Sequence, residues 1–199
     1  MPYAPLEDYV AAVHTGSIVA LPTDTVWGLA VSPEHSPKLY DLKQRSLDKP
    51  LILMGASATD LWPYVTMETV QWQTMTERHW PGQLTLVVPA SPKVPLVMHP
   101  KTPDTIGVRV PNHGVARQLL ALTGPLATTS ANLSGQPTLM SVEQVLDQFP
   151  QVYGLDNQTL GTRSEPLNPA MPSPSGLPST IARWQYGRWE TIRQGSIYL

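Results

Sequence analysis

The 199-residue sequence contains no cysteine, a single phenylalanine and few charged residues. The lack of cysteine excludes disulfide bonds, thiol nucleophiles and metal sites built from thiolates. Charged residues make up 14% of the chain, well below the roughly 25% that is usual in soluble domains. A short segment with several cations, such as residues 43–49, therefore stands out. The lack of cysteine also excludes a disulfide-stabilised secreted scaffold.

Long apolar runs and a large net charge are also missing. No segment approaches the ~18 apolar residues of a membrane span, and the N-terminus has no basic region followed by an apolar stretch. The formal net charge of -2 does not indicate a nucleic-acid-binding surface. We expect a cytoplasmic protein without a membrane segment.

Most familiar catalytic motifs are absent. The five histidines are scattered, without an HxH or HExxH pair, so that no metal site is predicted. No GxSxG elbow, Walker loop or GxGxxG motif occurs. Ser46 and Lys49 match the SxxK pattern of penicillin-interacting enzymes, but its SDN and KTG companions are missing and we interpret the match as chance.

Apolar periodicity predicts an α/β fold in which helices and strands alternate. Helices are predicted over residues 5–15, 34–45, 66–79 and 114–122 and from about 141, and strands over 17–22, 50–54, 84–88, 105–110, 125–129, 179–184 and 189–193. Residues 160–178 interrupt this pattern, because five prolines and two glycines disfavour regular structure there. We expect one domain over residues 1–199, in which this proline-rich loop is either a lid over the ligand or a surface loop without a role.

Short polar motifs border most of the predicted strands. They are PTDTVWG (22–28), KQRSLDKPL (43–51), WPGQLT (80–85), GVRVP (107–111), TTSAN (128–132), and PST with RQG (178–180 and 193–195). Ligands of α/β sheets bind at strand ends. The motifs supply cations and neutral hydrogen-bond donors, which together suit a small phosphate-bearing ligand. Taken singly, each motif is also compatible with a solvated helix face or a turn cap, so the prediction depends on their joint occurrence.

In this order the motifs PTDTVWGL, KQR with KPLIL, WPGQLTLV, GVRVP, TSANLSG, and PSTI with IRQGSI resemble the YrdC/Sua5 family of threonylcarbamoyl-AMP synthases, from about Ile18 to Ser196. The resemblance implies an open, twisted α/β sheet with flanking helices around a large concave cavity. It also implies a reaction that joins L-threonine, bicarbonate or CO2, and ATP into threonylcarbamoyl-AMP with release of pyrophosphate. That reaction is the first step in making the threonylcarbamoyladenosine of tRNA (t6A37).

The resemblance further implies roles for particular residues. Lys43, Arg45, Ser130 and Asn132 form the catalytic tetrad that holds the phosphates and the carbamate. The ATP-binding residues are Lys49, Thr128, Ser130, Asn132, Ser179 and Arg193, and Thr23 and Arg109 bind threonine. Mg²⁺ would arrive with ATP on the phosphates rather than in a protein cage. The product would pass to the downstream threonylcarbamoyl transferase complex, and weak RNA binding is compatible with the family.

Two departures from the family pattern concern the threonine side. Trp27 stands where the family commonly has tyrosine, and Met54 stands where longer members often have a histidine. Two alternatives stay open at the level of sequence. One is a YciO-like relative outside the t6A pathway, and the other is a non-catalytic protein that binds double-stranded RNA or tRNA. The low charge and the scarcity of aromatic residues in basic segments disfavour the second.

Overall fold

The computed structural model describes residues 3–66, 70–133, 135–156 and 174–199. The strands are β1 (Tyr3–Ala4), β2 (Val19–Leu21), β3 (Gly28–Val31), β4 (Ile52–Met54), β5 (Leu84–Pro89), β6 (Thr105–Arg109), β7 (Leu126–Ser130), β8 (Gly154–Leu155), β9 (Thr180–Gln185) and β10 (Arg188–Arg193). The helices are α1 (Leu6–His14), α2 (Pro37–Lys43), α3 (Ala58–Leu61), α4 (Val70–His79), α5 (Gly114–Thr123) and α6 (Val142–Gln148).

Eight strands form one mixed sheet in the order β10-β9-β5-β6-β4-β7-β3-β2. Two neighbouring pairs, β4 with β6 and β5 with β9, are parallel, and the other pairs are antiparallel. The remaining strands β1 and β8 pair with each other in parallel. This order places the last two strands of the chain beside β5 in the middle of the sequence, so that distant motifs meet at one sheet.

Helices pack on both faces of the sheet. On one face, α1 and α5 bury Tyr9 and Leu119 against Val19 and Leu126. On the opposite face, α2, α4 and α6 contribute the core residues Leu39, Trp72 and Leu146, which belong to one cluster with Leu53, Leu86 and Val108. Full burial of such a side chain stabilises the fold by about 1.5–3 kcal/mol. The predicted α/β class with flanking helices is therefore confirmed.

The strand register determines which side chains share the face of α1 and α5. Ile52 of β4 lies opposite both Gly107 of β6 and Thr128 of β7, and Met54 lies opposite Arg109. Laterally paired residues of neighbouring strands point to the same side of a sheet. Arg109 and Thr128 therefore project from the same face, which we call the site face.

Most predicted elements occur within a few residues of their predicted bounds. The helix predicted over 34–45 is divided into a 3₁₀ turn, Pro33–His35, and α2. Strand β3 was not predicted, because its short apolar run GLAV adjoins the polar motif PTDTVWG. The α3 helix was also missed, although Ser57 and Asp60 form a capping box at its start. Residues 157–173, which include most of the proline-rich loop, and residues 67–69 lie outside the described part of the chain.

The longest helices in the described ranges, α4 and α5, have 10 residues each. None of the helices described is both long and apolar enough to cross a membrane.

Candidate active site

A cavity of about 250 Å³ opens on the site face and collects residues from widely separated parts of the sequence. All predicted site residues except Lys43 and Lys49 line it: Thr23, Arg45, Arg109, Thr128, Ser130, Asn132, Ser179 and Arg193. The lining also includes Met54, one of the two departures from the family pattern. The sheet thus brings residues of these motifs together, as their joint occurrence in the sequence predicts.

Lys43 lies at the last position of α2, behind the cavity wall formed by β7. Its side chain is buried, and Nζ donates to the carbonyl oxygen of Ser130 and contacts Thr129 Oγ1 at 3.3 Å and Ser130 Oγ at 3.4 Å. Burial, together with the charges of Arg45 and Lys49, lowers the pKa of Lys43 to about 7. This ammonium group is therefore poised to lose or gain a proton near neutral pH.

Arg45 follows a left-handed residue, Gln44, with φ of 49°. This conformation ends α2 and turns the chain, so that the guanidinium lies along the following loop. Nε donates to the Lys49 carbonyl at 3.0 Å and Nη2 to the Pro50 carbonyl at 3.2 Å. The pKa of Arg45 is lowered by burial. Lys49 contributes its backbone to this arrangement, while its side chain is exposed and outside the cavity lining, so its predicted contact with ATP stays a prediction.

The polar residues of TTSAN are bonded to one another and to the neighbouring backbone. Thr128 Oγ1 donates to the Ile52 carbonyl at 3.0 Å. Ser130 Oγ donates to Asn132 Oδ1 at 2.6 Å, and Asn132 Nδ2 donates to the carbonyls of Gln136 at 2.6 Å and Leu133 at 3.2 Å. Ser130 and Asn132 therefore form one hydrogen-bonded unit at the cavity wall.

The C-terminal strands add a second arginine. Arg193 donates from Nε and Nη2 to the Ser179 carbonyl at 3.1 and 2.8 Å, and from Nη2 to Ser179 Oγ at 3.2 Å. Ser179 Oγ in turn contacts Thr85 Oγ1 of β5 at 2.8 Å. Burial lowers the pKa of Arg193, and the charge of Arg45 acts in the same direction. The two guanidinium groups are thus close enough to repel each other, which favours an anion between them.

Arg109 lies at the end of β6 and makes three bonds. Nη2 forms an ion pair with Asp24 Oδ1 at 2.6 Å, Nη1 donates to Thr25 Oγ1 at 2.9 Å, and Nε donates to the Gly82 carbonyl at 3.0 Å. Thr23 Oγ1 lies 3.0 Å from Thr25 Oγ1 and donates to the Val26 carbonyl at 2.6 Å. Burial lowers the pKa of Arg109, while the neighbouring Asp24 carboxylate opposes that shift.

Asp24 is the partner that the sequence reasoning missed. The residue lies in the quoted motif PTDTVWG, and a lone acid between two threonines in a chain poor in charge was the available signal. The fork of Arg109, which the resemblance assigns to threonine, therefore already holds a protein carboxylate. A ligand can reach only those N–H groups of Arg109 that Asp24, Thr25 and Gly82 leave free.

Metal-ligating side chains do not cluster in the part of the chain that the structure describes. No group of three or more histidine, aspartate or glutamate residues is arranged there to hold an ion. The hydroxyl and cationic groups around the cavity suit an anion far better than a divalent cation.

Together, an α/β sheet with strand-end motifs and a cation-rich cavity define a binding protein or enzyme for small phosphate-bearing molecules. The Sua5/YciO/YrdC family model, described as "Telomere recombination", matches residues 11–195. The chain belongs to this family.

Relatives and solved structures agree with this membership. The threonylcarbamoyl-AMP synthase of Vibrio cholerae is 40% identical over 150 residues, which cover 72% of this chain and 79% of the relative. The enzyme of the same name from Rattus norvegicus is 36% identical over 162 residues, which cover 79% of this chain and 57% of the relative. These identities establish homology over most of the chain.

Two structural neighbours show how far the fold extends. The crystal structure of P. abyssi Sua5 complexed with L-threonine has a TM-score of 0.80 and 28% identity and covers 96% of this chain. The chain spans about half of that structure, 54% of its length. E. coli YciO, with a TM-score of 0.78, 23% identity and coverage of 98% and 93% of the two chains, shares the fold.

Proposed function

We propose that this protein makes L-threonylcarbamoyl-AMP from L-threonine, bicarbonate or CO2, and ATP, and that it releases pyrophosphate as the first step of t6A37 formation in tRNA. The observation that carries the proposal is the cavity that brings Arg45 and Arg193 together with Ser130 and Asn132, with the buried Lys43 donating to the Ser130 carbonyl from behind its wall. The relatives named threonylcarbamoyl-AMP synthase support the same reaction. Residues 1–199 would act as one catalytic domain.

The phosphates of ATP bind beside Arg45 and Arg193. Both guanidinium groups are held by backbone carbonyls rather than by carboxylates. Charge-assisted bonds to phosphate oxygens contribute about 1.5–3 kcal/mol each. Thr128 and Ser179 line the same cavity and supply neutral hydrogen-bonding groups beside the nucleotide.

L-Threonine binds beside Arg109 and Thr23, which line the same cavity. Its carboxylate accepts from the N–H groups of Arg109 that remain free. Met54 also lines the cavity and offers an apolar surface to the substrate in place of a polar side chain. The P. abyssi Sua5 structure with L-threonine supports an amino-acid site in this fold.

The chemical step is a displacement at the α-phosphorus. The amino group of threonine, once it has lost the extra proton of its ammonium form, attacks the carbon of CO2 and gives up a second proton, which leaves a carbamate with one N–H. When bicarbonate is the carbon source, a C–O bond also breaks and water leaves. The resulting carbamate oxygen attacks the α-phosphorus. The bond from that phosphorus to the bridging oxygen breaks, and pyrophosphate leaves with the electron pair. Fixed cations around the reacting phosphate stabilise the crowded negative charge without having to reorganise. Mg²⁺ enters on the phosphates as MgATP.

The product contains a mixed anhydride that water hydrolyses, so it must be passed on rapidly. We place the protein in the cytoplasm, where ATP and tRNA are available, and upstream of the threonylcarbamoyl transferase complex. Weak binding to RNA would help to localise the product but is not needed for its synthesis.

The proposal is tested by incubating the purified protein with MgATP and bicarbonate, with and without L-threonine. Pyrophosphate and threonylcarbamoyl-AMP should appear together and only when threonine is present. L-Valine, which replaces the hydroxyl by a methyl group, is a matched control substrate. Nucleotide binding without threonine-dependent pyrophosphate would instead indicate a YciO-like protein outside this pathway, and RNA binding without either product would indicate a non-catalytic RNA-binding protein.

A further inference from the structure

The basic residues in and beside the cavity differ in whether a carboxylate is paired with them. In the described ranges of the chain, no carboxylate lies within 4 Å of Lys43, Arg45 or Arg193, whose partners are carbonyl and hydroxyl oxygens. Arg109, in contrast, is paired with Asp24 at 2.6 Å, and the side chains of both residues are 3% exposed. The cavity is therefore lined by two guanidinium groups without a carboxylate partner, those of Arg45 and Arg193, and by one whose charge Asp24 balances, that of Arg109. The charge of Arg193 also reaches Arg109 and lowers its pKa.

Asp24 lies behind Arg109 rather than in the cavity. It is absent from the lining and instead borders a second cleft together with Gly82 and Gln83. Its backbone carbonyl accepts from Gln83 Nε2 at 2.8 Å and from the Ser175 amide at 3.2 Å, so the residue is fixed from two sides. Asp24 thus acts on a ligand in the cavity through Arg109, and it acts chiefly by its charge.

The two substrates of the proposed reaction carry different charges and therefore favour different binding sites. MgATP carries its charge on several phosphate oxygens, while threonine carries a single carboxylate and its own ammonium group. A polyphosphate gains most where positive charge is uncompensated and loses affinity near a buried carboxylate, because such interactions are weakly screened. A lone carboxylate can still accept directional bonds from the free N–H groups of a paired arginine.

We propose that Asp24 is a specificity-determining, positioning residue that sorts the two anions. By balancing the charge of Arg109, it reserves that guanidinium for the amino-acid carboxylate and confines the polyphosphate to Arg45 and Arg193. This inference rests on the proposed function for the identity of the amino acid. The sorting of anions itself depends only on the charges described above.

The test compares Asp24→Asn with the unchanged protein and with Asp147→Asn, which removes the same charge from an exposed position on α6. Inorganic pyrophosphate and L-threonine are titrated calorimetrically, each alone and in the presence of the other. The unchanged protein and Asp147→Asn should bind one pyrophosphate per chain, and saturating pyrophosphate should change the threonine affinity less than about twofold. Asp24→Asn should bind a second pyrophosphate, which weakens threonine binding about tenfold or more.

Asp24→Glu, which keeps the charge, should restore a stoichiometry of one. A single pyrophosphate on Asp24→Asn together with an unaltered threonine affinity overturns the inference. If the unchanged protein binds no threonine at all, the proposed function fails, whereas the pyrophosphate stoichiometry still decides the role of Asp24.

A second variant covers the case in which Asp24→Asn does not fold, as judged by near-ultraviolet circular dichroism. Arg109→Lys keeps the buried charge pair but loses the fork. The inference requires that this variant binds pyrophosphate within about twofold of the unchanged protein. A tenfold loss of pyrophosphate affinity would show that the paired arginine binds phosphate and would overturn the sorting of anions.

Discussion

The hydroxyl of Ser130 donates a hydrogen bond of 2.6 Å to the side-chain oxygen of Asn132. Because the single proton of this hydroxyl is engaged, Ser130 Oγ can only accept from Lys43 Nζ, which lies 3.4 Å away. The serine thus connects the buried lysine to the asparagine of the loop after β7. These two residues of the predicted tetrad are one unit rather than two independent donors.

Ser130→Ala and Asn132→Ala should therefore be non-additive. Each variant alone loses a hydrogen bond worth about 0.5–1.5 kcal/mol, which lowers kcat/KM several-fold. The double variant should lose little more than the more damaged single variant, because the second change removes a group whose partner has already gone. Steady-state pyrophosphate release measures this coupling. Thr74→Ala, on the exposed side of α4, is the control and should combine additively with Ser130→Ala. Additive losses of kcat/KM in the double variant at 130 and 132 would contradict the conclusion that these two residues act as one unit.

The buried positive charge of Lys43 should destabilise the folded protein. Its pKa is lowered to about 7 by burial and by the nearby cations, whereas an unfolded lysine titrates near 10.4. Between these values the unfolded chain binds more protons, so the free energy of unfolding rises with pH by up to about 1.4 kcal/mol per unit. Below about pH 7 both forms are protonated, and the destabilising effect of the buried charge is fully present.

Lys43→Met should consequently raise the free energy of unfolding, and by more at pH 6 than at pH 9. Urea denaturation at the two pH values measures this difference. Lys93→Met, at an exposed position, controls for the loss of a lysine and should show no such pH dependence. A stabilisation by Lys43→Met that grows toward pH 9 would be opposite in sign to the expected shift.

The sequence predicts which residues line the cavity better than it predicts the contacts that these residues make. The order of the motifs and the alternation of helices and strands place Thr128 and Arg109 at strand ends, and the sheet register brings both to one face. Asp24 could not be assigned in this way, because its effect depends on a contact with a residue 85 positions away. Strand β3 was missed for a related reason, since its four residues are specified by pairing with β2 and β7 more than by their own pattern.

Binding of a polyphosphate should raise the pKa of Lys43 and draw a proton from solution. At about pH 8 the side chain is mainly neutral in the free protein, and a bound anion beside Ser130 favours its charged form. Calorimetric titration of pyrophosphate in two buffers with different ionisation enthalpies should reveal uptake of up to about one proton. Lys43→Met should abolish the dependence on buffer, and equal heats in both buffers for the unchanged protein would exclude this linkage.

Arg193 and Arg109 should respond to substitution in opposite ways. Arg193→Ala removes a guanidinium that has no carboxylate partner in the described structure, and it should raise the KM for ATP about 10- to 100-fold while changing that for threonine little. Arg109→Lys should raise the KM for threonine more than that for ATP, because the three N–H groups of an ammonium cannot serve Asp24, Thr25, the Gly82 carbonyl and a substrate carboxylate together. Arg188→Ala is the control and should leave both constants unchanged, because Arg188 lies on the same strand as Arg193 but is paired with Glu190 and does not line the cavity. Near-ultraviolet circular dichroism must first show that both variants are folded, because a general loss of folding would raise both constants. Parallel increases of both constants in folded Arg193→Ala and Arg109→Lys would refute the division of the cavity between phosphate and amino acid.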